Sequence, residues 1–180
     1  MQQISRSRHV VAALCLAIGV AMLGTKAAGG AADVRIIRMN DQCEPESFNT
    51  AFGPGTCLRA NGGVSVDTFL RVLGHAGKIG SWSFVPAAVQ LKDGQEFQAV
   101  NRGGEVHTFT EVDEFGGGFI TDLNELTGSG DTVPECVFET LGPGDFIPPG
   151  GATEAEDEGP GIHHYQCCIH PWMRTDVMVR

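Results

Sequence analysis

From Ser81 to the C-terminus, apolar residues recur with a period of two in short runs, and each run is cut by glycine or proline. Successive side chains of a strand point to opposite faces, so this pattern describes short strands with one face buried. The runs fall at 82–84, 88–91, 96–100, 106–112, 136–141, 162–168 and 175–179, with turns at Lys92-Asp93-Gly94, at 101–104 and at 142–144. The 25 Gly and 9 Pro of the 180 residues supply the turns and argue against a helical bundle. An antiparallel β-sandwich is the expected architecture. Upstream, 34–39 reads as a first strand and 41–56 as a loop containing Cys43 and Cys57. Val66, Phe69, Leu70 and Leu73 have helical spacing, which predicts a short amphipathic helix over 64–73 ended by Gly74. Residues 113–134 are a glycine-rich excursion with little periodicity, and no internal repeat is evident.

The N-terminus bears on the six cysteines. Arg6, Arg8 and His9 precede an apolar run over 10–23, and small residues follow over 25–32. This is the pattern of an export signal over residues 1–32, and the run is too short for a stable membrane span. The cleavage point falls after Gly30 or Ala32. Cys15 lies inside the run behind Leu14, which does not suit lipid attachment. The expected organisation is therefore a signal (1–32), an N-terminal extension with a short strand, a cysteine loop and a helix (33–80), and a β domain (81–180). The expected location is periplasmic or secreted, where disulfides persist.

The full chain carries 12 Lys+Arg against 22 Asp+Glu, a net charge of -10. Loss of Arg6, Arg8 and Lys26, with no acid removed, leaves 9 basic and 22 acidic side chains and a net charge of -13. Such a protein repels a phosphate backbone, so nucleic acid is excluded as a partner. The acidic run over 154–158 is a solvated loop first, and a docking surface for a basic partner second.

The segment Tyr165-Gln-Cys-Cys-Ile-His-Pro-Trp-Met-Arg174 carries the chemistry. Cys167, His170 and Met173 follow at intervals of three, so one loop at the end of a strand delivers a thiolate, an imidazole and a thioether. With a second imidazole, these are the donors of an electron-transfer copper site. His107 is the best source of that imidazole, because it starts a strand after the Asn101-Arg-Gly-Gly104 turn. His75 lies beyond the early helix. His163 would lie ~13 Å back along the strand from Cys167, too far to share its metal. His163 and His164 are read as strand or surface histidines, with an auxiliary metal site as the lesser alternative. Zinc is a poor fit, because adjacent Cys167 and Cys168 point to opposite faces of a strand and cannot easily chelate one ion.

These residues, with Phe84 to Phe97 (FVPAAVQLKDGQEF) and Asn101 to Thr110 (NRGGEVHTFT), resemble the cupredoxin family of blue-copper proteins, in particular its plastocyanin/amicyanin-like group. The resemblance covers about residues 81–180. It implies an eight-stranded Greek-key β-sandwich holding one type 1 copper near one end through His107, Cys167, His170 and Met173. It further implies that His170 projects through an apolar patch bordered by Pro171 and Trp172 and passes the electron to a redox partner protein. Three departures stand out. Thr108 occupies the place where many relatives have Asn tying the two ligand loops together, the span from His107 to Cys167 is long, and Cys168 directly follows the ligand cysteine. The backbone amides of Thr108 and Ile169 are candidates to hydrogen-bond the sulfur.

With Cys15 in the signal and Cys167 on the metal, Cys43, Cys57, Cys136 and Cys168 remain, and three pairings are possible. Cys43–Cys57, closing a local loop, and Cys136–Cys168, joining two late strands, form the favoured set. The expected function is one-electron transfer. The alternative is a periplasmic copper module that delivers, buffers or senses the metal. An oxidase is disfavoured, because no His-x-His pair occurs among the six histidines to build further copper centres.

Overall fold

The computed structural model describes residues 33–180; the expected export signal, 1–32, lies outside the described residues. Seven strands form two sheets. Strands β1 (Arg35–Asn40), β2 (Ser83–Val85) and β4 (Phe97–Asn101) make one sheet in the order β2-β1-β4. Strands β3 (Ala88–Leu91), β5 (Thr110–Val112), β6 (Gly161–Gln166) and β7 (Arg174–Val179) make the other in the order β3-β7-β6-β5. The expected Greek-key β-sandwich is present, but its sheets are mixed: β1 pairs parallel with β4, and β3 parallel with β7. Among the described residues there are seven strands, where the resemblance implied eight.

The alternating residues became the core. Ile37 and Met39 of β1, Phe84 of β2, Phe97 and Ala99 of β4, and Val177 and Val179 of β7 point inward and are buried. Strand β1 comes from the segment expected to be an extension, yet it lies between β2 and β4.

Among the described residues, three helices stand where one was expected. Helix α2 (Val66–Ala76) is that helix, but it runs through Gly74, the expected stop; the Ser65 hydroxyl caps its start and Gly77, at positive φ, ends it. Helix α1 (Pro45–Phe52) occupies what reads as a loop. Pro45 suits a first helical position, and the Glu44 carboxylate accepts the amides of Glu46 and Ser47. Helix α3 (Thr121–Thr127) lies within the excursion at 113–134.

Two expected strands are corrected. Residues 136–141 form tight 3-10 turns, Pro134–Cys136 and Phe138–Thr140, because Pro134 sets a turn and Cys136 is tied to Cys168. The strand expected over 106–112 survives only as β5. His107 instead makes a single isolated bridge, exchanging two backbone hydrogen bonds with Ile147. No described helix is long and apolar enough to cross a membrane.

Candidate metal centre

The Cys167 loop is held by the hairpin that carries it. Strands β6 and β7 pair antiparallel to Gln166↔Arg174, and the chain between them must turn tightly. The Cys167 amide donates to the Met173 carbonyl at 3.1 Å, and the Met173 amide to the His170 carbonyl at 2.8 Å. Outside the turn, the Arg174 guanidinium donates to the Pro171 carbonyl at 2.6 Å and to the Gly116 carbonyl at 3.1 Å. The turn is therefore fixed at both ends and across its middle. Cys167, His170 and Met173 are all buried.

His107 reaches the same place from the other sheet, on the turn after β4. The Asn101 side chain shapes that turn. Its amide donates to the carbonyls of Glu105 and Ile147 at 2.8 and 2.9 Å, while its oxygen accepts the Gly103 amide at 2.9 Å. Asp41, one residue beyond β1, completes it. The Asp41 carboxylate accepts the Gly104 amide at 2.8 Å, the Glu105 amide at 3.0 Å and the Cys43 amide at 3.2 Å. Only glycine fits at 103 and 104. A Cβ at 103 would collide with the Asp41 carboxylate, and one at 104 with Arg59 and the Cys43 sulfur.

Three donor atoms converge. Cys167 Sγ lies 3.8 Å from Nδ1 of His107 and 3.8 Å from Nδ1 of His170, and the two Nδ1 atoms are 3.2 Å apart. A metal bonded to sulfur at ~2.3 Å and nitrogen at ~2.0 Å in a trigonal plane needs S–N separations of about 3.7 Å and an N–N separation of about 3.5 Å. The buried triad matches those spacings, and its thiolate and imidazoles suit copper. Met173 closes the same turn with its backbone, on the loop where the sequence placed it.

The surroundings tune the three donor groups. Burial alone would raise the Cys167 thiol, but hydrogen bonds and charge from His107 and His170 outweigh it and hold the thiol well below its ordinary range. Burial likewise opposes charge on His107, yet the Asp41 carboxylate and the Cys167 thiolate lift it to about 9 in the metal-free site. Asp41, although buried, is lowered to about 2 by His107 and the backbone amides. The Thr108 amide donates to Cys167 Sγ at 3.4 Å; of the two amides considered for this role, Thr108 is the one that reaches the sulfur. The Thr108 hydroxyl accepts the Cys168 amide at 2.7 Å and so joins the His107 turn to the Cys167 loop.

His170 departs from expectation. It is 4% exposed and does not project through the surface. The Trp172 ring meets it edge-on at 5.3 Å, and Phe69 of α2 lies 5.9 Å beyond. Its Nε2 faces Glu105 Oε2 at 3.8 Å, and that same oxygen accepts the Trp82 indole N–H at 2.5 Å. Burial raises the Glu105 carboxyl above its ordinary range.

Cys167 and Cys168 diverge as strand alternation requires. Cys168 forms a disulfide with Cys136 in a separate small cluster with Val112, and Cys43 pairs with Cys57, which is the favoured set. Cys167 is the free cysteine among the described residues. The other described histidines stay away from the triad. His75 lies in the last turn of α2. His164 pairs with Asp176 at 2.7 Å. His163 sits 2.8 Å from Glu111 and 3.7 Å from Glu158. No local sequence pattern marks Asp41 or Glu105 as part of the site. The one hint was the pair of glycines preceding Glu105, whose bare amides invite an anion, and nothing pointed to an acid 66 residues upstream of His107.

No family model and no curated protein matches the chain. Solved structures similar to it include a purple cupredoxin from Nitrosopumilus maritimus, at 14% identity and TM-score 0.44, covering 81% of this chain and 99% of that one. An oxidised amicyanin point mutant matches at 13% identity and TM-score 0.40, over 87% of this chain and 88% of that one. A Cu(I) amicyanin mutant matches at 16% identity and TM-score 0.37, over 54% and 73%.

Proposed function

We propose that this chain is an exported one-electron carrier that holds a single type 1 copper through His107, Cys167, His170 and Met173. The observation that carries this reading is the convergence of Cys167 Sγ and two imidazole Nδ1 atoms in one buried cluster with trigonal spacing. Copper in this site would supply a reversible Cu(II)/Cu(I) couple, with soft sulfur favouring the reduced state and imidazole serving both. The chain's own part is to keep the donors still. The closed turn at 167–173, the Asn101-shaped turn before His107 and the Thr108–Cys168 hydrogen bond restrict movement of the ligands between oxidation states. The covalent bond is assigned to Cys167, whose thiol is already disposed to lose its proton. Met173 would supply a weak thioether donor from the same turn.

The two disulfides support an oxidising compartment, periplasmic or extracellular, as the site of action. The partner is a redox protein, and the net charge of the acidic domain favours a basic one.

One observation favours a second reading, copper delivery or buffering: His170 is covered, so the usual direct edge for electron exchange is not open. Stopped-flow oxidation and reduction of the copper-loaded protein by small complexes of either charge separates the two. Fast reversible cycling supports the carrier. A coloured site that exchanges copper with a chelator faster than it exchanges electrons supports the buffer.

A further inference from the structure

Asp41 is the most heavily coordinated acid in the fold, and nothing in the ligand set accounts for it. Its side chain is fully buried, it accepts three backbone amides, and its Oδ2 lies 2.9 Å from Nε2 of His107. The same ring turns Nδ1 toward Cys167. The Arg59 guanidinium reaches the Asp41 backbone carbonyl at 3.3 Å, not the carboxylate. No described Lys or Arg pairs with the Asp41 carboxylate, so its charge is directed at the imidazole and the backbone amides.

We propose that Asp41 is a positioning residue for the metal centre: it holds His107 in the Nε2–H tautomer, makes Nδ1 a stronger donor, and biases the site toward the divalent state. This rests on the copper reading. A ligand imidazole that donates its other N–H to a carboxylate is fixed in ring orientation and made more basic. A buried negative charge one ring away also favours the metal state of higher charge, where the low dielectric leaves it little screened. Three features of the chain serve this one contact. The Gly103-Gly104 pair lets the amides close on the carboxylate, the Cys43–Cys57 disulfide pins the chain two residues on, and β1 sets the carboxylate at the end of the central strand.

The test compares copper-loaded wild type with Asp41→Asn. The expected result is a retained thiolate-to-copper absorption band, a Cu(II) affinity about 10- to 100-fold weaker, and a Cu(II)-to-Cu(I) affinity ratio lowered about tenfold, or ~59 mV upward in potential. A second measurement needs no variant. In nitrogen-15 spectra of the metal-free wild type, the His107 Nε2 proton should be bound and slow to exchange. A band present in both proteins with an unshifted potential overturns the inference and spares the copper reading. A rapidly exchanging or absent Nε2 proton overturns it as well. A wild type that binds copper without any such band contradicts the copper reading, whatever the nitrogen-15 spectra show.

Discussion

The Thr108 hydroxyl accepts the backbone N–H of Cys168 at 2.7 Å, while the Thr108 amide donates to Cys167 Sγ at 3.4 Å. One residue thus binds the upstream histidine turn to the cysteine loop by its side chain and touches the sulfur by its backbone. Both atoms of Cys168 and Cys167 are buried, so water cannot replace either contact. Replacing Thr108 by Val keeps the shape and strands the Cys168 N–H, which costs about 1–3 kcal/mol. Urea denaturation should show that loss, with Thr108→Ser recovering most of it. A Thr108→Val protein as stable as wild type would show that the loops are held together by other contacts.

The two adjacent cysteines point apart, Cys168 into a disulfide and Cys167 toward the two imidazoles. Cys167→Ser should abolish the visible charge-transfer band and leave the fold intact. Cys168→Ser should keep the band but free Cys136, with a stability loss of about 2–4 kcal/mol. Optical spectra and thiol counting check both. The reverse pattern of colour would exchange the roles assigned to the two residues.

Met173→Leu removes the thioether from a fully buried position while keeping a similar volume. On the copper reading the colour should persist and the potential should rise, because a thioether donor that favours the oxidised ion would be lost. Voltammetry measures it. A potential equal to that of wild type would reassign Met173 to core packing.

The buried thiolate–imidazolium pair should leave the metal-free protein's stability nearly flat on the alkaline side. Burial opposes charge on His107, but Asp41 and the Cys167 thiolate raise it to about 9. Alone, that contribution is full below ~6.5 and fades as pH rises toward about 9. Cys167 is held well below its ordinary thiol value, so its contribution grows over the same range and offsets the loss. At the acid end Asp41, lowered from 3.8 to about 2, loses its contribution as pH falls from about 4 toward about 2. Urea midpoints from pH 6 to 10 in the presence of a chelator check this: the wild type should stay nearly flat up to about 9, while Cys167→Ser, with Asp41 alone holding the imidazolium, should lose stability as pH rises. A steady alkaline loss in the wild type would show that Cys167 keeps its proton in the metal-free site.

The strands were legible because their period of two survives in this fold as burial: Ile37 and Met39, Phe97 and Ala99, Val177 and Val179 all face inward. Cys167, His170 and Met173 were legible because one short turn carries them, and the opposed directions of Cys167 and Cys168 followed from strand alternation. Helix α1 was hidden by a segment rich in turn-formers that buries only Phe48. Residues 136–141 alternate like a strand, but Pro134 and the disulfide at Cys136 hold them in 3-10 turns. The cover over His170 needs Trp172 packed against Phe69 from another part of the chain. Asp41 meets His107 only because β1 lies parallel to β4, a long-range pairing that no local pattern reports.

Titrating the metal-free protein with Cu(II), while recording absorption and electron paramagnetic resonance, tests whether Cys167 and two imidazoles bind copper. The expected result is an intense thiolate-to-copper band that saturates at one copper per chain, bleaches on one-electron reduction and returns on oxidation. Saturation with copper without that band, or the same band in Cys167→Ser, would contradict it.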